Sequence, residues 1–188
     1  MRTVSTKLLF TAAILSAFAW YVSVSSTFKT EIKTEILYPS LIEQINDVTS
    51  IEISGLGQNT KLVRNGYGLT VKNRDFYPAD TDTIVKSLLE ISELRTIEPK
   101  SRLPKGHETL GLLGPDVEPF ISRQVLIHGL KDQTIVNLVI GKSAQGLENN
   151  YIRKNAESQS WLARGVLSLS PDPMTWLNTE IINVPSKR

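Results

Sequence analysis

Residues 77–95 have the sequence YPADTDTIVKSLLEISELR. This segment predicts the main helix, on which the strands of the domain are expected to pack. Pro78 biases Tyr77 away from helical backbone, and Asp80 is a favourable N-cap. Apolar residues then recur at helical spacing along one broad stripe. The members of this stripe are Ile84, Val85, Leu88, Leu89, Ile91 and Leu94. We therefore predict a helix over Thr81–Arg95 with the stripe facing the core.

A group of short strands is predicted before the helix. Residues 50–54 alternate polar and apolar side chains, and the glycine-rich segment 55–59 supplies a turn. Asn65-Gly66 is a second, sharper turn signal because both of its central positions need positive φ, and residues 67–71 alternate after it. The segment 50–71 therefore predicts three antiparallel strands.

A second group of strands is predicted after the helix. Residues 123–128 and 134–140 flank a turn and predict a hairpin, and its apolar second strand is expected inside the sheet. Two more short strands are predicted at Tyr151–Arg153 and Trp161–Ala163, and the segment 166–177 predicts a closing helical turn.

The resulting fold class is α+β, with antiparallel strand groups packed on a central helix and preceded by one N-terminal transmembrane helix. The segment between the helix and the second strand group contains Pro99, Pro104 and Gly106 and predicts a long loop.

The N-terminal segment is strongly apolar. Residues 8–24 (LLFTAAILSAFAWYVSV) carry no charge and follow Arg2 and Lys7. This pattern favours a membrane anchor over residues 8–28, with the positive residues retained in the cytoplasm. A cleaved signal peptide is the alternative, because Ala17-Phe18-Ala19 fits a cleavage pattern. Both interpretations place the remaining chain outside the cytoplasm.

These features predict five regions along the chain. They are a cytoplasmic N-terminus at 1–7, the transmembrane anchor at 8–28, a juxtamembrane connector at 29–47, an α+β domain at 48–184 and a tail at 185–188.

Composition excludes several classes of function. The chain has 188 residues, a net charge of +2, no cysteine and two histidines. Once Arg2 and Lys7 are set aside, basic and acidic residues are equal in number, so no basic field is left for nucleic acid. Without cysteine there is no disulfide, thiol nucleophile or thiolate zinc site.

Several short blocks carry a resemblance to a known family. They are Asn46-Asp47-Val48, Ile51-Glu52-Ile53, Phe76-Tyr77-Pro78-Ala79-Asp80, Leu88-Leu89, Leu110-Gly111-Leu112, Leu138-Val139-Ile140-Gly141, Tyr151-Ile152-Arg153 and Trp161-Leu162. Across residues 37–184 the chain resembles the bacterial domain of unknown function 4340 family. The resemblance implies a single-span protein of the bacterial cell envelope, often encoded beside auxiliary ABC-transport or gliding-type components. It implies no catalytic residues. The predicted anchor adds a location in the inner membrane, with the N-terminus in the cytoplasm and the domain in the periplasm.

One short motif resembles a phosphate-binding loop. Gly141-Lys142-Ser143 matches the end of that motif, but Val136 stands where the first glycine is required. The intervening residues 137–140 predict a strand, so we do not expect nucleotide binding here.

The titratable residues form no recognisable catalytic or metal motif. His107 and His128 lack ligand spacing and are expected to face solvent. Asp75, Asp80 and Asp82 form a small acidic group without a calcium-loop pattern, and capping explains Asp80.

The sequence therefore favours a non-enzymatic accessory or interaction module of a transporter or envelope complex, with no catalytic, cofactor or metal residues. Lys100, Arg102 and Lys105 are the candidate docking residues for a membrane-protein partner. A periplasmic module that binds a small ligand or glycan is one alternative, and a hydrolase with dispersed catalytic residues is another.

Overall fold

The computed structural model describes residues 34–66, 68–118, 122–144 and 148–179, together with Ser16. The chain divides into two units, Met1–Lys33 and Thr34–Arg188, and the strands and helices named below belong to the second. Apart from Ser16, the predicted anchor at 8–28 and the predicted tail at 185–188 lie outside the described residues. Within the described ranges, no helix has the length and hydropathy required to span a membrane.

The described residues of the second unit form one antiparallel sheet of nine strands and two α-helices. The strands are β1 (Ser50–Gly55), β2 (Gln58–Asn65), β3 (Gly68–Val71), β4 (Tyr77–Pro78), β5 (Arg95–Pro99), β6 (Arg123–His128), β7 (Thr134–Ser143), β8 (Asn149–Lys154) and β9 (Ser160–Arg164). The helices are α1 (Thr81–Ser92) and α2 (Pro104–Leu110). The strand order across the sheet is β4-β3-β2-β1-β6-β7-β8-β9-β5.

The sheet consists of two meanders that meet at their first strands. Strands β1 to β4 form one meander, and strands β6 to β9 form the other. β1 pairs with β6 in a register that places Ile51 opposite Ile127 and Ile53 opposite Val125. The α+β class and both predicted strand groups are confirmed, and the two groups are continuous parts of a single sheet.

The main core lies on one face of this sheet. Strand alternation buries Ile51 and Ile53 on this face and turns Glu52 to the other. The buried side of α1 packs on the same face, because Ile84, Leu88 and Ile91 belong to the same apolar cluster as the strand residues. The core is thus a sheet-and-helix layer.

α1 begins where the sequence predicts and ends earlier. The Asp80 side chain accepts a hydrogen bond from the backbone N–H of Asp82, which confirms the N-cap. The predicted end at Arg95 is wrong, because the helix stops at Ser92 and Arg95 pairs with Arg164 of β9. Arg95, which local helix propensity assigns to the last helical turn, instead pairs as a strand residue of β5.

The predicted long loop contains two regular elements, β5 and α2. Pro104 stands at the start of α2, and Gly111 closes it with a left-handed φ of 71°. α2 and its C-terminal extension lie against the face opposite α1, where Arg153 donates to the carbonyl of Leu112 at 3.2 Å. The prediction of an irregular loop here is wrong.

Both edges of the sheet are covered by segments near the ends of the described chain. At β5, the Thr96 N–H donates to the Glu35 carbonyl, and Ile36 forms an isolated bridge with Arg95. At β4, Ala79 bridges Leu177. These contacts occupy backbone groups that an exposed edge would offer to another chain.

Residues 34–47, the described part of the predicted connector, are packed on the domain. Leu37 and Leu41 are buried in the main core, and Leu37 donates its N–H to the Leu94 carbonyl at 2.9 Å. The chain passes through turns and then a 3-10 turn at Ile45–Asp47.

Candidate functional site

The outward side of α1 carries an exposed apolar stripe. Val85 and Leu89 are 40% and 38% exposed, whereas Leu88, the neighbour of Leu89, is 3% exposed. The prediction that all six apolar residues of this helix face the core is therefore wrong for these two. The helix presents a narrow buried stripe and a separate, solvent-facing apolar pair.

A shallow groove follows this outward face. Its volume is about 440 Å³, and it is lined by Asp82, Val85, Lys86, Leu89, Glu90 and Glu93. Three of these residues are acidic and one is basic, so the apolar pair lies in a negatively charged setting. Glu90 also accepts a hydrogen bond from the Ser168 N–H at 2.7 Å, which ties the segment after β9 to the helix.

The apolar surface continues from α1 towards the ends of β2 and β3. Val85 also lines a smaller and more enclosed cleft of about 190 Å³. Ile45, Leu69 and the Arg64 side chain contribute to its wall. Arg64 is held there by hydrogen bonds to the carbonyls of Val48 and Asn46. The groove therefore adjoins, at Val85, a recess of a size suited to an apolar side chain.

The predicted docking residues lie on the segment that joins β5 to α2 and in the first turn of α2. Lys100 forms an ion pair with Glu98 at 2.9 Å and lies 6.0 Å from the centre of the Tyr151 ring. Arg102 donates to the Gln159 side chain at 2.7 Å. Lys105 is exposed in the first turn of α2. The docking role of these three residues stays a prediction, and two of them also have partners within the domain.

His107 is buried, so the expectation that it faces solvent is wrong. Its Nε2 atom lies 2.9 Å from the Ser158 carbonyl and 3.3 Å from the Ser101 carbonyl. The ring thereby joins α2 to the β8–β9 turn. The Pro104 and Gly111 pair is the sequence signal for this short helix. The burial of His107 itself follows from its tertiary contact with the β8–β9 turn.

His128 and the acidic residues near Asp80 lie in different parts of the fold. The His128 ring lies 3.5 Å from the Thr134 hydroxyl across the β6–β7 hairpin. Asp80 accepts hydrogen bonds from the Thr83 hydroxyl and the Asp82 N–H, and these bonds hold the pKa of Asp80 below its ordinary value. Among the described residues, no group of three histidine, aspartate or glutamate side chains could hold a metal ion.

The Gly141-Lys142-Ser143 triplet belongs to strand β7 and not to a loop. A side chain at Gly141 would collide with the Leu110 carbonyl, and the Gly111 carbonyl would lie 2.9 Å from its Cβ. Lys142 donates to the Thr109 carbonyl at 2.9 Å. Glycine is needed here for the close approach of the α2 segment, which explains the triplet without a phosphate ligand.

No family model, curated protein or solved structure matches the chain. The resemblance to the domain of unknown function 4340 family stays a prediction.

Proposed function

We propose that this protein is a membrane-tethered accessory module that binds a partner protein through the outward face of α1. The observation that carries this proposal is the exposure of Val85 and Leu89 in a groove that adjoins the smaller recess at Val85. Exposed apolar side chains beside a formed pocket, with charges around them, are the arrangement of a protein interface.

The partner that fits this surface is an amphipathic helix with basic residues beside its apolar stripe. Asp82, Glu90 and Glu93 surround the apolar pair and outnumber Lys86, so basic flanks would be attracted and acidic flanks repelled. A helix laid in a groove presents apolar anchors at helical spacing, and one of them would enter the recess beside Val85.

One hydrolase arrangement can be compared with the positions of the titratable residues. It would bring His107, Glu108 and the acidic residues 75–82 together in one cleft. His107 is held between Ser101 and Ser158 near β9 and β5, whereas Asp80 caps α1 beside β4. These elements stand at opposite ends of the strand order.

We infer the location from the apolar N-terminal segment. Residues 8–28 would anchor the protein in the bacterial inner membrane, with the domain in the periplasm and a transporter-type membrane complex as partner. A reporter that is active only outside the cytoplasm, fused after Arg188, should then be active, and the protein should remain in the membrane pellet at alkaline pH. A soluble periplasmic product beginning near Trp20 would show a cleaved signal and would contradict the anchor.

Charge reversal tests the docking surface. Glu90→Lys with Glu93→Lys should abolish binding to a synthetic amphipathic helix with basic flanks, because both flanking carboxylates become repulsive. Lys100→Glu with Arg102→Glu is the matched control and should leave this binding unchanged. Binding should also weaken as salt is added. The proposal fails if the control pair removes binding and the α1 pair does not.

A further inference from the structure

A second cleft, separate from the α1 groove, is lined mainly by polar residues. It has a volume of about 320 Å³ and is lined in part by Arg123, Ser143, Glu148, Asn149 and Asn150. Gly165, Val166 and Leu167 supply its remaining described wall. It is separate from the α1 groove, since the two share no lining residue.

Arg123 brings a partly buried positive charge to this cleft. It begins β6 on the core-facing row that continues with Val125 and Ile127. One guanidinium N–H donates to the Leu169 carbonyl at 2.8 Å, and no carboxylate among the described residues lies within ion-pair distance. Burial lowers the pKa of Arg123 from its ordinary value, which reports the cost of holding this charge away from water.

Arg153 provides an internal comparison. It also loses hydration, but its guanidinium donates to the carbonyls of Asn155, Glu157 and Leu112. Those three bonds give Arg153 a structural role, because they join the β8–β9 turn to the segment after α2. Arg123 has one such bond among the described residues, so most of its N–H groups remain available to a ligand.

Asn150 and Ser143 form the polar wall of the cleft on the Arg123 side of the sheet. The Asn150 amide accepts from the Ser143 hydroxyl at 3.1 Å and donates to the Gly165 carbonyl at 3.2 Å, which fixes it across β7 and the end of β9. Asn150 and Ser143 therefore lie on the Arg123 side of the sheet, whereas strand alternation turns the Asn149 side chain to the other side.

We propose that this cleft binds the carboxylate of a small zwitterion of the amino-acid class, with Arg123 as its main ligand. The planar guanidinium matches a carboxylate through two parallel hydrogen bonds, and such a pair compensates a buried charge. Glu148 at the exposed side of the cleft would attract the ligand's ammonium group and disfavour a doubly charged anion such as phosphate. This site is independent of the proposed partner surface.

The test is a titration of the purified full-length protein with small probes, in which binding is measured by NMR or calorimetry. The probes are an α-amino acid, the matched carboxylic acid without the amine, the matched amine without the carboxylate, and inorganic phosphate. We expect saturable binding of the amino acid, weaker binding of the acid, and no binding of the amine or phosphate. Phosphate binding tighter than the amino acid, or no saturable binding of any probe, would overturn the proposal.

Three substitutions assign the binding to this cleft. Arg123→Lys should weaken amino-acid binding about ten- to a hundredfold, because the bidentate contact is lost. Ser143→Asp adds a carboxylate at an exposed position of the cleft and should weaken amino-acid binding through charge repulsion, even if Arg123→Lys fails to fold. Arg153→Lys is the control and should leave the affinity unchanged. Equal affinities in the wild type, the Ser143→Asp variant and any folded Arg123→Lys variant would overturn the assignment.

Discussion

At the scale of single residues, the sequence predicts local roles such as helix capping better than it predicts which side chains are buried by tertiary packing. Asp80 was predicted as an N-cap from its neighbours alone, and the structure confirms it because capping depends only on the next few residues. The sequence predicts that His107 faces solvent, yet its ring is buried. It lies against the carbonyls of Ser101 and Ser158, which are six and fifty-one positions away in the chain. The partner at Ser158 is set by tertiary packing, which the local sequence cannot show.

The Asp80 cap predicts a specific dependence of stability on pH. The hydrogen bond from Thr83 is the largest cause of its lowered pKa, and the Asp82 N–H adds to it. A carboxyl group with a lowered folded-state pKa stabilises the fold above its unfolded-state pKa, and this contribution is lost as the pH falls through the folded-state pKa. Asp80→Asn keeps a capping side chain but cannot titrate, so the stability of this variant should fall less steeply on acidification.

Chemical unfolding of both proteins, from neutral pH to below the ordinary range of aspartate, measures this difference. Asp80→Ala is the control for the cap itself and should cost about 1 kcal/mol at neutral pH. Parallel acid curves for the wild type and Asp80→Asn would show that the carboxylate charge does not stabilise α1.

At the scale of elements, periodic patterns predict strands and the helix but not their exact limits. The strands at 50–71 and 123–140 were found from alternation and turn residues, since both signals are local. β5 was missed because its apolar content is low and its residues follow a strong helix. The exposed pair Val85 and Leu89 was also missed, because helical spacing alone does not say how wide a stripe the sheet can cover.

Adjacent leucines in α1 test this division of the helix. Leu88→Ala should lower the free energy of unfolding by about 2–5 kcal/mol, because it opens a cavity in the main core. Leu89→Ala is the matched control and should cost distinctly less, about 1 kcal/mol, because this side chain is 38% exposed and lies outside the main core. Denaturant titration measures both. Similar losses from the two substitutions would place Leu89 in the core and contradict the exposed face.

Two glycines test the close approach of the α2 segment to β7. Gly141→Ala should destabilise the fold by about 1–3 kcal/mol or more, because the new methyl group meets backbone carbonyls that cannot easily move. Gly68→Ala in β3 has open space around its Cβ and should be neutral or stabilising by up to about 1 kcal/mol. A tolerant Gly141 would show that α2 packs elsewhere.

At the scale of the whole molecule, long-range pairing joins what the sequence presents as separate parts. β1 and β6 lie about seventy residues apart in the chain and pair along their full length, which makes one sheet from two meanders. No local pattern encodes that pairing. The candidate site follows from the same assembly, because the sheet determines which side of α1 is covered. The Arg123 cleft likewise gathers residues from β6, β7 and β8 that no motif connects.

Site-specific photo-crosslinking in cells can show whether the outward face of α1 binds a basic amphipathic helix of a partner. A photoreactive residue at Leu89 should give one cross-linked protein, and peptide mapping should place the link on a helix with basic residues beside its apolar stripe. Glu90→Lys with Glu93→Lys should remove that product, whereas the same probe at Arg102 should not give it. A product at Leu89 that survives the charge reversal, links to an acidic peptide, or is absent altogether would contradict the account.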